Sequence, residues 1–164
     1  MEGRPFEELV RPHQEIAFRV AYLITRNAAD AEDAVQDGLV KAWRAFGRFR
    51  RDAPMRPWFL RIVANEARNR RRSAGRREAL ALRASPGEAA PSPEEAVVDA
   101  DERARLLAAL DGLPDAMRLV LAYRHLLALS EEETAAALGV RVGTVKSRSA
   151  RALEKLREAH GLRA

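Results

Sequence analysis

Phe6, Val10, His13, Ala17 and Val20 recur at steps of three and four residues, the spacing of one buried face of a helix. Pro12 falls inside that pattern and predicts a start or a kink there. A break is expected over Asn27 to Asp30, with Asp30 capping the helix that follows. This second helix carries the stripe Ala34 or Val35, Leu39, Ala42 or Trp43, then Phe46. Gly38 sits in its middle at a cost of about 1 kcal/mol against alanine. After a loop from Gly47 to Arg56, Pro57 suits the first turn of a third helix, with Trp58 or Phe59, Ile62, Val63 and Ala67 inward. Further on, Val97, Ala104, Leu107 and Leu110 mark a helix closed by Gly112. Pro114 opens another, with Met117, Val120, Leu121 and Leu126 turned to the core.

Between the third and fourth helices the apolar periodicity stops. Pro86, Pro91 and Pro93 fall there among Ser85, Gly87, Ser92 and several alanines, so residues 74–94 read as a flexible linker. The expected organisation is one helical module over 1–73 and a second over 95–164. Composition agrees: aromatics are only 5% of the chain while alanine, leucine and arginine dominate, a mix that favours helices over sheets. The fold class is therefore all-α, two small helical domains on a flexible tether.

Charge adds a partner class. The net charge is +5 and the pI about 10.3, pointing to a polyanion. Its placement says more than its total. From Lys41 to Arg77 there are 13 Lys or Arg against Asp52 and Glu66 alone. From Glu88 to Glu102 there are six acids and no base, and from Arg141 to Arg157 six bases face only Glu154. Two basic surfaces are thus separated by an acidic stretch.

The sharpest local signal lies near the C-terminus. Ser130-Glu131-Glu132-Glu133 has the form of a capping box. A short helix runs through Leu138, Gly139 supplies the positive backbone angle of a tight turn, and Val140 plugs the angle between two helices. A second helix from about Val142 packs Val145 inward and presents Thr144, Lys146, Ser147, Arg148 and Arg151. Hydroxyls and cations of that kind serve phosphates and guanine edges in a major groove, so this is a helix-turn-helix.

Leu113-Pro114, Leu129-Ser130-Glu131-Glu132 and the run Leu138-Gly139-Val140-Arg141-Val142-Gly143-Thr144-Val145-Lys146-Ser147-Arg148 resemble the C-terminal promoter-binding domain of extracytoplasmic-function (group four) sigma factors of bacterial RNA polymerase. The resemblance implies that Lys146, Ser147, Ala150 and Arg151 face bases of the minus-thirty-five element, with Thr144 and Arg148 on phosphates.

In the first module, Trp43, Phe46, Phe49, Trp58 and Phe59 are five of nine aromatics, interleaved with Arg44, Arg48, Arg50, Arg51, Arg56 and Arg61. Aromatic faces that stack bases and arginines that track a backbone are the chemistry of single-strand capture. Trp43, Phe46, Trp58 and Phe59 also lie on helical stripes and read as core. Phe49 is the least core-like, which places a base pocket in the loop from Gly47 to Met55 and on the helix face beyond it.

The order Asp30 to Asp37, Ala42-Trp43, Phe49, then Pro57-Trp58-Phe59-Leu60-Arg61-Ile62-Val63-Ala64-Asn65 is similar to the N-terminal domain of the same family. By that resemblance Asp33, Gln36 and Asp37 grip the beta-prime coiled coil of core RNA polymerase. Asn65 and Asn69 read the minus-ten element, with Phe49 alongside, while Arg61, Arg68 and Arg70 serve phosphates. The resemblance also implies an anti-sigma factor as partner.

Enzymatic readings have little to stand on. Cysteine is absent, His13, His125 and His160 lack ligand spacing, and no phosphate loop or nucleophile elbow occurs. Glu32, Asp33 and Asp37 share adjacent helical turns, as a nuclease metal site would, but a solvated or protein-contacting acidic face accounts for them as well. No catalysis and no cofactor are expected. With no apolar run near the roughly 18 residues of a membrane span and no secretory start, the expected location is cytoplasmic. The rival to a sigma factor is an autonomous regulator that binds duplex DNA without polymerase.

Overall fold

The computed structural model describes residues 5–84, 104, 105 and 108–160, and every regular element among them is helical. A short helix α1 (Phe6–Val10) passes through a 3-10 turn at Arg11–His13, which holds Pro12, into α2 (Gln14–Thr25). The interruption falls where proline cannot donate. α2 stops at Arg26, which takes the left-handed conformation (φ 54°) and returns its N–H to the Tyr22 carbonyl at 2.7 Å. Glycine usually fills that role.

Asp30 is not the cap of α3 (Ala28–Ala45). Asn27 is, its side-chain oxygen accepting the Asp30 N–H at 3.0 Å. The asparagine lies one residue before the first helical one, in extended backbone, where a side chain can reach back to an orphan N–H. Asp30 is instead the acidic residue of the first turn. Gly38 has a packing reason: a Cβ there would meet Val63 Cγ2 at 2.7 Å, so α3 and α4 approach through it.

Helix α4 (Met55–Ala84) is the spine of the molecule. It continues over residues 74–84, the start of the segment read as linker; alanine, leucine, arginine and glutamate there are good helix formers that carry it past Gly75. The remainder of that segment, 85–94, and Val97 and Leu107 lie outside the described residues.

In the second half, residues 108–111 are helical, followed by α5 (Asp115–Leu121), a π turn (Ala122–Leu126), α6 (Glu131–Leu138) and α7 (Val142–His160). The π turn closes with the Leu127 N–H on the Ala122 carbonyl at 3.0 Å. Its wider turn shifts the register, and Leu126, expected in the core, is 67% exposed. Leu126 lines an apolar cleft of about 560 Å³ with Tyr22, Leu153 and Leu156.

The two halves share one core. Phe59, Leu60, Val63 and Ala64 of α4 form a single buried cluster with Val20 and Ile24 of α2, and with Tyr123, Leu129 and Ala137 of the second half. Two smaller clusters belong to the second half alone: Leu113, Leu121 and Ala152, and the helix-turn-helix group Val120, Ala135 and Val145.

Candidate nucleic-acid interface

The helix-turn-helix forms as its local chemistry dictates. Ser130 Oγ accepts the Glu133 N–H and Glu133 Oε2 accepts the Ser130 N–H, both at 3.0 Å, a complete capping box on α6. Gly139 is left-handed (φ 67°) and ends α6. Val140 packs beside Val120, Ala135 and Val145, and Val145 is fully buried. With Val145 inward, Lys146, Ser147, Ala150 and Arg151 of α7 face out, while Thr144 and Arg148 are half-buried. Ser147 Oγ donates to the Thr144 carbonyl at 3.2 Å, and Lys146 lies 3.6 Å from Glu131.

On α4, Arg61, Asn65, Arg68 and Arg72 share one face at helical spacing, with Asn69 at its border. Asn65 Oδ1 accepts from Arg68 at 3.1 Å. Phe49 is not free in its loop. It stacks on Phe46 and tilts against Trp58, ring centroids 6.2 and 4.6 Å apart. Trp43, expected in the core, is 63% exposed and touches Phe6 edge-on at 5.5 Å, because Ala42 takes the inward position of that turn. The helical stripe allowed either Ala42 or Trp43 inward, and the smaller Ala42 is the one buried.

Glu32, Asp33 and Asp37 of α3 are exposed, but two of them are already engaged. Arg70 of α4 donates to Asp33 at 3.3 Å and to Asp37 at 2.5 Å. Its hydrogen bond to Asp37 raises its pKa further above the usual guanidinium value, against the opposing effect of burial. Gln36 lies beside them, exposed. The expectation put Arg70 on DNA phosphates; the fold sets it on the side of α4 that meets α3.

Contacts between the halves were invisible in the sequence. Arg56 of α4 donates to Glu133 Oε1 through Nε (3.1 Å) and Nη2 (2.5 Å). Arg71 reaches Asp115 at 3.0 Å, and Arg26 pairs with Asp111. The Arg61 guanidinium covers Gly139, so that a Cβ there would meet it at 3.2 Å. Arg68, Arg71 and Arg72 line a cleft of about 450 Å³ together with Arg148 of α7. Arginines of the two basic helices, Arg68 of α4 and Arg148 of α7, therefore meet at one cleft between the halves. Within this interface the Tyr123 hydroxyl and the Thr134 hydroxyl are buried without a hydrogen-bond partner. Burial pushes the Tyr123 phenol well up.

Among the described residues there is no group of three His, Cys, Asp or Glu arranged to hold a metal ion, and no helix is long and apolar enough to cross a membrane.

The helix-turn-helix, the second arginine-bearing helix and the acidic helix beside it define an all-helical protein with a basic helix in each half. Comparison with known proteins gives the family. Residues 9–77 match Sigma-70 region 2 and residues 103–156 match Sigma-70, region 4. The chain is 36% identical over 157 residues to the ECF RNA polymerase sigma factor SigE of Mycolicibacterium smegmatis, covering 93% of this chain and 60% of that one. It is 35% identical to SigM of Mycobacterium tuberculosis (92% and 74% covered) and 33% identical to the sigma-E factor of Escherichia coli (94% and 86%). Among solved structures it resembles the sigma factor RpoE in complex with the anti-sigma factor NepR from Bartonella quintana, with TM-score 0.71, 26% identity and 99% and 100% of the chains covered. It also resembles CnrH in complex with the cytosolic domain of CnrY, with TM-score 0.68, 28% identity and 98% and 90% covered. The chain belongs to the extracytoplasmic-function sigma factors, alternative sigma factors that direct transcription with RNA polymerase.

Proposed function

We infer that this chain binds core RNA polymerase and carries it to a two-part promoter, doing no covalent chemistry itself. The observation that supports this is the pairing of a helix-turn-helix and a second arginine-rich helix with one exposed acidic helix in a single chain. An autonomous regulator needs the first and has no use for the third. Asp33, Gln36 and Asp37 contact polymerase. Asn65 and Asn69, flanked by Arg61 and Arg68, read the minus-ten strand, with Phe49 supplying an aromatic face. Thr144, Lys146, Ser147, Arg148, Ala150 and Arg151 hold the minus-thirty-five duplex. Residues 1–73 and 95–164 are the two working modules.

The packed arrangement is a resting state. The two promoter elements lie roughly 25 base pairs apart, about 85 Å at 3.4 Å per pair. A 19-residue recognition helix spans about 28 Å, and its leading turn sits beside α4 through Arg61 and Gly139. Both DNA faces cannot reach their elements until the halves part, and polymerase fixes the separation at which the two weak modules gain avidity. An anti-sigma factor is the second partner: the similar sigma factor RpoE from Bartonella quintana is held by the anti-sigma factor NepR.

Run-off transcription with purified core polymerase tests the reading. New discrete transcripts and tight core binding support it. Tight duplex binding by the protein alone, without core binding, would leave the autonomous regulator.

A further inference from the structure

Arg70 was expected on DNA, yet it lies about 140° around α4 from Asn65, counting five residues at 3.6 per turn. Its neighbours are two carboxylates of α3. Nη1 takes Asp33 Oδ2 and Nη2 takes Asp37 Oδ2, one guanidinium edge across two acids a helical turn apart. The Arg70 side chain is 31% exposed while Asp33 and Asp37 keep 57% and 51%, so the acids remain open on their outer side. Only one oxygen of each is used. Without a cation between them, like charges at this spacing repel and splay.

We propose that Arg70 is a positioning residue of the polymerase-binding face, holding the Asp33 and Asp37 carboxylates side by side with their second oxygens outward, as a two-pronged seat for a cationic side chain of polymerase. This rests on the reading of α3 as the polymerase contact and adds the device that shapes it. A planar fork suits the task because one guanidinium edge spans two oxygens; an ammonium is a single point charge. The buried Nε of Arg70 has no partner, so two hydrogen bonds to the acids are what hold it there.

The test uses the full chain and core polymerase, measuring core affinity by fluorescence anisotropy and, at saturating core, affinity for a minus-ten single-stranded oligonucleotide. Arg70→Ala weakens core binding about tenfold and leaves the oligonucleotide affinity unchanged. Arg70→Lys recovers only part of the loss. Arg70→Gln keeps the stem and stands in if the alanine variant folds poorly. In the Asp33→Asn/Asp37→Asn background, Arg70→Ala costs nothing more. The proposal is overturned if Arg70→Ala weakens the oligonucleotide and spares core, which would make it a phosphate contact, or if its cost adds in full to that of the acids. A different result, core binding unaffected by Asp33→Asn and Asp37→Asn, would instead remove the acidic-face reading on which the proposal stands.

Discussion

Glu133 uses one carboxylate oxygen to close the cap of its own helix and the other to receive Arg56, 77 residues earlier in the chain. A local helix-start signal and a contact between the two halves therefore depend on one side chain. Its pKa is lowered overall: burial pushes it up, but the Ser130 N–H and the Arg56 guanidinium outweigh that. Glu133→Ala removes the returning half of the capping box and leaves Arg56 without its acceptor. We expect a loss of about 1–2 kcal/mol in chemical denaturation. Glu133→Gln keeps the cap and should cost less. A Glu133→Gln variant as stable as the parent would show that the carboxylate charge and its pairing with Arg56 contribute nothing, and equal costs for the two variants would show that the cap contributes nothing.

Acid should loosen the packed state in two separate steps. The pKa of His13 is lowered, first by burial and then by the nearby Arg56, with Glu133 opposing. The folded protein thus resists a proton that the unfolded chain accepts, and stability falls as pH drops below 6.5 toward the folded value. Glu133 acts lower down. Its contribution is complete above the ordinary carboxylate value of about 4.3 and is lost as pH falls through its depressed one. Thermal melts from pH 7.5 to 5.5 should flatten in His13→Asn, and an unchanged slope would exclude His13 as the cause.

Tyr123→Phe should be neutral or stabilising by about 1 kcal/mol. The phenol is fully buried with no hydrogen-bond partner, so deleting its oxygen removes an uncompensated desolvation cost and leaves the ring packed. If the packed halves are the resting state, the same variant should also delay opening, read as slower association with core. A loss of stability above 1 kcal/mol would reveal a partner for that hydroxyl.

Gly38→Ala should destabilise despite alanine's better helix propensity. The gain of about 1 kcal/mol is outweighed when the new methyl meets Val63 Cγ2 at 2.7 Å and its Cα at 3.3 Å. Gly38→Ala combined with Val63→Ala should recover part of the loss, since the clash is then relieved. Additive costs in the pair would place the strain elsewhere.

On the recognition helix, Arg151→Ala should weaken minus-thirty-five binding by holoenzyme about 1–3 kcal/mol and relax preference at one base position. Arg148→Ala should weaken all sequences alike and lower the salt slope by about 0.9. Filter binding at several salt concentrations separates the two roles, and interchange of the results would reverse the assignments.

Much of the fold was written locally. The capping box at Ser130, the left-handed Gly139, the inward Val145 and the 3-10 turn at Pro12 each follow from chemistry within four residues of chain, where sequence distance and spatial distance coincide. The same holds for the identity of the DNA helix, because a buried anchor at Val145 fixes which side chains face out. Register faltered where neighbouring residues competed for one position: Ala42 over Trp43 inward, Asn27 over Asp30 as cap, and Leu126 turned out by a π turn that no periodicity announces.

What the sequence alone determined was the set of helices and the two basic faces, since spacing and charge are properties of short segments. The tertiary structure decided how the faces meet. Arg56 on Glu133, Arg61 over Gly139 and Arg70 between Asp33 and Asp37 join residues 33 to 78 positions apart. Any of the thirteen Lys or Arg from Lys41 to Arg77 could have served DNA by composition. The packing of α4 against α3 and α6 gives Arg70 and Arg56 their carboxylate partners, because a guanidinium is drawn to whichever carboxylate the fold brings within reach.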